Sequence, residues 1–232
     1  MNQYSSFINS RNLFLHPPVD FEDWNPQVDY DEMAGAEKYS YNTYRHYILP
    51  YLKNPKEQTI FDINCGKGYG LALLKAEYGF KKCVGYNSVP ELVKACNIRH
   101  SNIHFYKDFI MSKQENADFI FAFETFHQFD NKSALLLKFR QCLAPNGKLI
   151  IIQSTRNMTE FDNHMSILEK THGLQKLYQS KINPHVNMAL HKIGSYGTGV
   201  GQGAMIDEYF NYSSNLSRDE DFNIMVSIFE NK

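Results

Sequence analysis

The sequence predicts an α/β fold: a doubly wound, mainly parallel seven-stranded sheet preceded by an aromatic-rich helical lid. Three observations carry this. Short apolar runs recur between residues 59 and 152 and alternate with helical stretches, as buried parallel strands do. The first run, Ile60, Phe61 and Ile63, is closed by Asp62 and enters a turn crowded with Gly66, Gly68 and Gly70; Leu71, Leu73 and Leu74 then begin a helix. Hydrophobic residues make up 43% of 232 and charged ones 21%, enough for one soluble domain with a full core.

The elements follow in order. Residues 1–30 interleave aromatics (Tyr4, Phe7, Phe14, Phe21, Trp24, Tyr30) with polar residues, and Pro17, Pro18 and Pro26 prevent one continuous helix. Residues 31–49 read as a helix ended by Pro50, with Tyr41, Tyr44, Ile48 and Tyr51 at helical spacing. That stripe reads equally as a packed face and as a lid over an organic ligand. After the glycine turn, Lys82–Tyr86 is a second strand ending at Asn87, and Pro90 starts a helix where its missing N–H costs nothing. Asn102–Tyr106 is a third strand and Asp118–Phe123 a strongly apolar fourth. Ser133–Leu143 is an amphipathic helix with Leu135, Leu136, Phe139, Cys142 and Leu143 inward. Pro145–Gly147 turns the chain into a fifth strand from Lys148. A helix over 159–171, a strand over 174–179 and a closing strand over 222–229 complete the sheet.

Segments 1–55 and 56–232 divide as lid and main domain, with an inserted loop region at about 181–218. The glycine run 194–203 in that loop imitates a dinucleotide fingerprint, but no apolar strand of the usual kind precedes it, so it reads as a loop bordering the site. Twenty-four basic residues face twenty-five acidic ones without a long basic run, which gives no footprint for nucleic acid or an anionic membrane. No apolar stretch approaches the roughly 20 residues of a membrane span, and a cytoplasmic protein is expected. Cys65, Cys83, Cys96 and Cys142 are widely spaced in or beside apolar segments; buried free thiols and no metal site are expected.

The opening turn resembles the first motif of the class I S-adenosylmethionine-dependent methyltransferases, Asp-x-Gly-x-Gly-x-Gly. Asp62, Gly66 and Gly68 match it, and Asn64 replaces its first glycine. The resemblance covers roughly Thr59–Ser154 in the expected order. Val84–Val93 is similar to the second motif, whose acidic residue usually holds both ribose hydroxyls; here that position is Asn87, followed by Ser88. Phe105–Asp108 is similar to the third, which puts Asp108 at the adenine amino group with Phe109 beside it. Asp118–Phe129 is similar to the fourth and includes Phe123, Glu124 and His127. Leu143–Ile152 is similar to the fifth, with Asn146 where a glycine is usual; asparagine tolerates left-handed backbone better than most residues.

The resemblance implies a Rossmann-like methyltransferase fold and a methyl transfer from S-adenosylmethionine to a small organic acceptor, releasing S-adenosylhomocysteine. The expected cofactor contacts are Asp62, Asn64, Cys65, Gly66, Gly68, Asn87, Ser88, Asp108, Phe109 and Phe123. Cys65 reads alternatively as a small filler under the turn. Asn64 adds bulk where the family keeps bare backbone. Much of the catalysis is alignment, and a base is needed only for a weakly acidic acceptor. His127 is the candidate base and Glu124 its neighbour; both read alternatively as pocket-shaping residues. Trp24, Tyr39, Tyr41 and Tyr44 are lid candidates. Alternatives are a modified cofactor or a non-methylating reaction on the same fold, and a non-catalytic binding domain.

Overall fold

The computed structural model describes residues 41, 44–112, 115–123, 125–126, 129–155, 157–181 and 223–232. The apolar runs become strands β1 (Thr59–Asp62), β2 (Lys82–Tyr86), β3 (His104–Tyr106), β4 (Ala117–Phe123), β5 (Leu143–Thr155), β6 (Gln175–Lys181) and β7 (Asn223–Glu230). The helices between them are α1 (Tyr69–Tyr78), α2 (Pro90–Arg99), α3 (Lys132–Cys142) and α4 (Met158–Lys170). Together the strands form one sheet in the order β3-β2-β1-β4-β5-β7-β6. Among the described strands β7 runs antiparallel to both of its neighbours, β5 and β6, and the other pairs are parallel.

The order reverses between β1 and β4. Crossovers from β1 and β2 build the sheet in one direction, and those from β4 build it in the other. The carboxyl ends of β1 and β4 therefore lie at the switch point, where sheets of this kind have the crevice in which ligands bind.

Both faces of the central strands are buried, and β4 shows why its sequence is apolar almost throughout. Phe119, Phe121 and Phe123 point to one face, with Leu71, Leu74 and Tyr44; Ile120 and Ala122 point to the other, with Leu135 and Phe139. The amphipathic helix buries Leu135, Leu136, Phe139 and Cys142 as its periodicity predicts. All four cysteines are buried and none is in a disulfide.

The fifth strand begins earlier than the sequence suggests. Leu143 already pairs with Ala117, and residues 144–147 bulge before regular pairing resumes at Lys148. Asn146 adopts a positive φ of 61°, and the Asn231 amide donates to the Leu143 and Ala144 carbonyls at 2.9 and 3.1 Å. These contacts hold the turn inside the sheet.

Of the N-terminal helix, residues 41 and 44–48 are described; it gives way to a 3-10 turn at Leu49–Tyr51, which contains Pro50. Tyr41, Tyr44 and Ile48 are buried, so their spacing marks a packed face. The Tyr44 ring stacks on Phe121 with centroids 3.9 Å apart. Arg45 pairs with Glu77 at 2.7 Å and donates to the Tyr78 hydroxyl at 3.0 Å, while the Tyr41 hydroxyl donates to Glu77. The segment is thus fastened to the end of α1. Among the described residues no helix is long and apolar enough to cross a membrane.

Candidate active site

Asp62 closes β1 in a position only 4% exposed. Its Oδ1 accepts the Tyr44 hydroxyl at 3.2 Å and the Asn64 backbone N–H at 3.3 Å. The chain then threads between two strands: Ile63 N–H donates to the Phe121 carbonyl at 2.9 Å, and Cys65 N–H to the Tyr86 carbonyl at 3.1 Å. Gly66 and Gly68 complete the turn with φ of 55° and 81°. Gly68 has a second reason to lack a side chain, since a Cβ there would lie 2.6 Å from the Phe105 ring and 3.0 Å from His100 Cδ2. Gly68 is also the N-cap of α1 and has no side chain with which to cap it. Its first-turn N–H groups and the positive end of its dipole therefore stand at the crevice.

The turn rests on Cys65 and His100. Cys65 Sγ lies 2.8 Å from the position that a Cβ would take at Gly85, so the two residues interlock. Burial first, then the neighbouring Cys96 and Asp62, push the Cys65 thiol well up. It is a neutral packing group at pH 7. His100 is fully buried, with Nε2 3.0 Å from the Lys67 carbonyl. A carbonyl only accepts, so Nε2 carries the proton. Nδ1 is buried and has no hydrogen-bond partner among the described residues. Burial is the main cause lowering the His100 pKa to about 4.

The neighbouring strand ends supply polar groups. Asn87, 7% exposed, accepts the Val89 N–H on Oδ1 at 2.9 Å, and its own N–H donates to the Tyr106 carbonyl at 3.1 Å. Asn64 Nδ2 donates to the Phe123 carbonyl at 3.0 Å, tying the β1 turn to the end of β4. The Phe123 ring meets the edge of Tyr44 at 6.1 Å, and the Thr125 hydroxyl donates to the same Phe123 carbonyl at 3.3 Å. Asp108 is exposed beyond β3 and accepts the Met111 N–H at 3.0 Å; Ser88 is exposed too.

Asp62, Asn64, Cys65, Gly66, Gly68 and Phe123 are thus joined by bonds or packing, with Asn87 one strand away. Phe109 is buried elsewhere: its ring packs between Tyr86 at 5.1 Å and Phe139 at 5.6 Å. Glu124 and His127 lie outside the described residues, as do Trp24, Tyr39 and residues 182–222. Tyr44 joins the site through Asp62, a contact that helical spacing alone does not reveal. Gln153 and His100 were not anticipated. Gln153 Oε1 accepts the Phe126 N–H at 3.1 Å, and neither residue has a sequence signal marking it.

This arrangement, an acidic strand end, a glycine turn and an open helix N-terminus at a switch point, suits a nucleoside-containing ligand. The model of a family described as a methyltransferase domain matches residues 33–190, more than half of the chain. The chain belongs to this family. Membership makes it a methyltransferase, with S-adenosylmethionine as the methyl donor. No curated protein matches the chain significantly. Among solved structures, this methyltransferase is similar to StiE O-MT at 17% identity and TM-score 0.62, covering 99% of this chain and 91% of the other. It is also similar to the O-methyltransferase from the trans-AT PKS multienzyme of Brevibacillus brevis, solved in complex with S-adenosyl-L-homocysteine, at 16% identity and TM-score 0.58, over 81% and 71%. The [4+2]-cyclase SpnF shares the fold at 13% identity and TM-score 0.57, over 82% and 80%.

Proposed function

We propose that this methyltransferase binds S-adenosylmethionine at the carboxyl ends of β1, β2 and β3 and methylates a small organic acceptor held under the N-terminal segment. The observation that carries this is a set of polar groups on one edge: the N-terminus of α1, whose N-cap Gly68 has no side chain, and the Asn64 Oδ1 and Asn87 amide NH₂, for neither of which the described residues supply a hydrogen-bond partner. These groups fit an S-adenosyl nucleoside, which brings hydroxyls, an ammonium and a carboxylate to be paired. Bound there, the cofactor supplies a methyl group on a sulfonium, activated for in-line displacement.

The chain's own residues then have separate tasks. Gly66 and Gly68 let the ligand approach backbone, and Asn87 meets the ribose. The exposed Asp108 meets the base, and Ser88 borders it. Asp62 orders the turn through Asn64 and holds Tyr44 in place. Tyr44, stacked on Phe121 and 1% exposed, backs the Phe123 ring, which is the aromatic group of this pair nearer to a bound sulfonium. Phe109 acts from behind the site, by packing.

Two of the structurally similar proteins are named as O-methyltransferases, which supports an oxygen acceptor here and therefore a base. His127 takes that role, with Glu124 three residues before it in sequence. The balanced charge supports a small acceptor rather than nucleic acid, and four cysteines in no disulfide suit the reducing cytoplasm. The segment 1–55 acts as the lid, and the loop at about 181–218 borders the acceptor.

The reading is tested by calorimetric titration of the full chain with S-adenosylhomocysteine, followed by methyl-transfer assays on hydroxylated small molecules. Binding with turnover supports it, and failure to bind at millimolar concentration rejects it. His127→Asn lowers kcat by about 10²–10⁴-fold with the S-adenosylhomocysteine affinity nearly unchanged, if His127 is the base. Tight binding without transfer to any acceptor favours instead a non-methylating reaction, on a fold that the cyclase SpnF shares.

A further inference from the structure

The two asparagines at the carboxyl edge are turned in opposite senses. Asn64 gives its Nδ2 to the Phe123 carbonyl at 3.0 Å, so the end left for a ligand is Oδ1, an acceptor. Asn87 uses its Oδ1 to accept the Val89 N–H at 2.9 Å, so the end left is the NH₂, a donor. Neither amide can be flipped. A backbone carbonyl has no proton to give, and a backbone N–H has no lone pair to receive one. Both side chains are buried enough, at 9% and 7% exposure, for a wrong pairing to be costly.

Asn87 stands where a doubly wound sheet meets a ribose: it follows β2 directly, about 20 residues beyond the glycine turn. A carboxylate at such a position only accepts, and so requires each ribose hydroxyl to donate its proton. Asn87 does the reverse. We infer that Asn87 sets the ribose specificity of this site by donating its amide N–H to one ribose oxygen, so that the site requires an oxygen there but not a hydroxyl proton. The site then takes adenosyl ligands alkylated on that oxygen, and rejects those that lack the oxygen. This rests on the reading that an S-adenosyl nucleoside binds at this edge.

The test is calorimetry on the full chain with S-adenosylhomocysteine and its 2′-deoxy, 3′-deoxy, 2′-O-methyl and 3′-O-methyl derivatives, against the natural chain, Asn87→Asp and Asn87→Ala. Asn87→Asp keeps an acceptor for the Val89 N–H, so the turn survives in that variant. At one of the two ribose positions the natural chain binds the O-methyl derivative within about threefold of the parent compound. At the same position it binds the deoxy derivative about tenfold or more weakly. Asn87→Asp loses the O-methyl derivative by about tenfold relative to the parent, because its carboxylate has no proton to give. In Asn87→Ala the deoxy and parent compounds bind alike. The proposal is overturned if the deoxy penalty is the same in all three proteins, which removes Asn87 from the ribose. It is also overturned if the O-methyl and deoxy derivatives are equally weak at both positions in the natural chain. Absence of binding by S-adenosylhomocysteine itself is a different failure: it rejects the functional reading beneath, and this proposal with it.

Discussion

Two groups of asparagines in this chain do different work. In the half built on β4, β5 and β7, Asn131 and Asn157 cap α3 and α4, accepting from Ala134 N–H at 2.9 Å and Glu160 N–H at 3.0 Å. Asn231 gives its amide to two carbonyls of the β5 bulge, and Lys148 pairs with Glu230 across β5 and β7 at 2.6 Å. Asn131 and Asn157 stand exposed, so the amide end that does not cap faces water. In the half built on β1 and β2, the N-cap residues are Gly68 and Val89, which cap nothing with their side chains. There Asn64 and Asn87 each bond backbone with one end of the amide and leave the other. Buried polar groups normally find partners, so a set with spare capacity, gathered at a switch point, marks the half built for recognition.

The comparison can be broken at several places. The largest effect is expected at Gly68. Gly68→Ala combines left-handed backbone with a Cβ driven into Phe105, and should cost about 2–4 kcal/mol in denaturant unfolding. Gly70→Ala, with nothing within 4 Å of its Cβ, should change stability by less than about 1 kcal/mol. Equal losses would show that the turn is not held from beneath as described.

A comparable effect comes from His100. Its folded pKa of about 4 lies below its unfolded value near 6.5, so the unfolded state binds the proton first. The stability this group contributes is complete above pH 6.5 and is lost as the pH falls through 4. The gap corresponds to at most about 3 kcal/mol. His100→Gln keeps a donor for the Lys67 carbonyl and should flatten that part of the profile, measured by urea unfolding between pH 4 and 7. An unchanged slope would assign the acid sensitivity to other groups.

The smallest effect belongs to the caps. Asn131→Ala and Asn157→Ala should each cost about 1 kcal/mol of stability and leave S-adenosylhomocysteine affinity unchanged. A large loss of affinity in either variant would erase the distinction between the halves.

Much of the fold was legible because buried parallel strands declare themselves as continuous apolar runs, and because Pro90 and the glycines punctuate the chain locally. The boundaries that shifted did so through non-local contacts. β5 starts at Leu143 because Asn231, far along the sequence, holds the bulge. α1 starts at Tyr69, two residues before the leucines that suggested it, because Gly68 itself is the N-cap. In the site, Asp62, Asn64 and Asn87 could be found from their positions around one turn. Which end of each amide faces outward could not, since that depends on Phe123 and Val89 presenting opposite backbone groups. The support from His100 was equally invisible, as nothing around it in the sequence says that its ring folds under Lys67.

The central claim is that the β1–β2 edge recognises the cofactor while the β4–β5–β7 half only supports it. Calorimetric titration of S-adenosylhomocysteine into the natural chain, Asn87→Ala and Asn131→Ala tests this most directly. The account predicts binding to the natural chain, affinity weakened by about tenfold or more in Asn87→Ala, and no change in Asn131→Ala despite its lower melting temperature. Unchanged affinity in Asn87→Ala, or a loss in Asn131→Ala to match it, would contradict the claim.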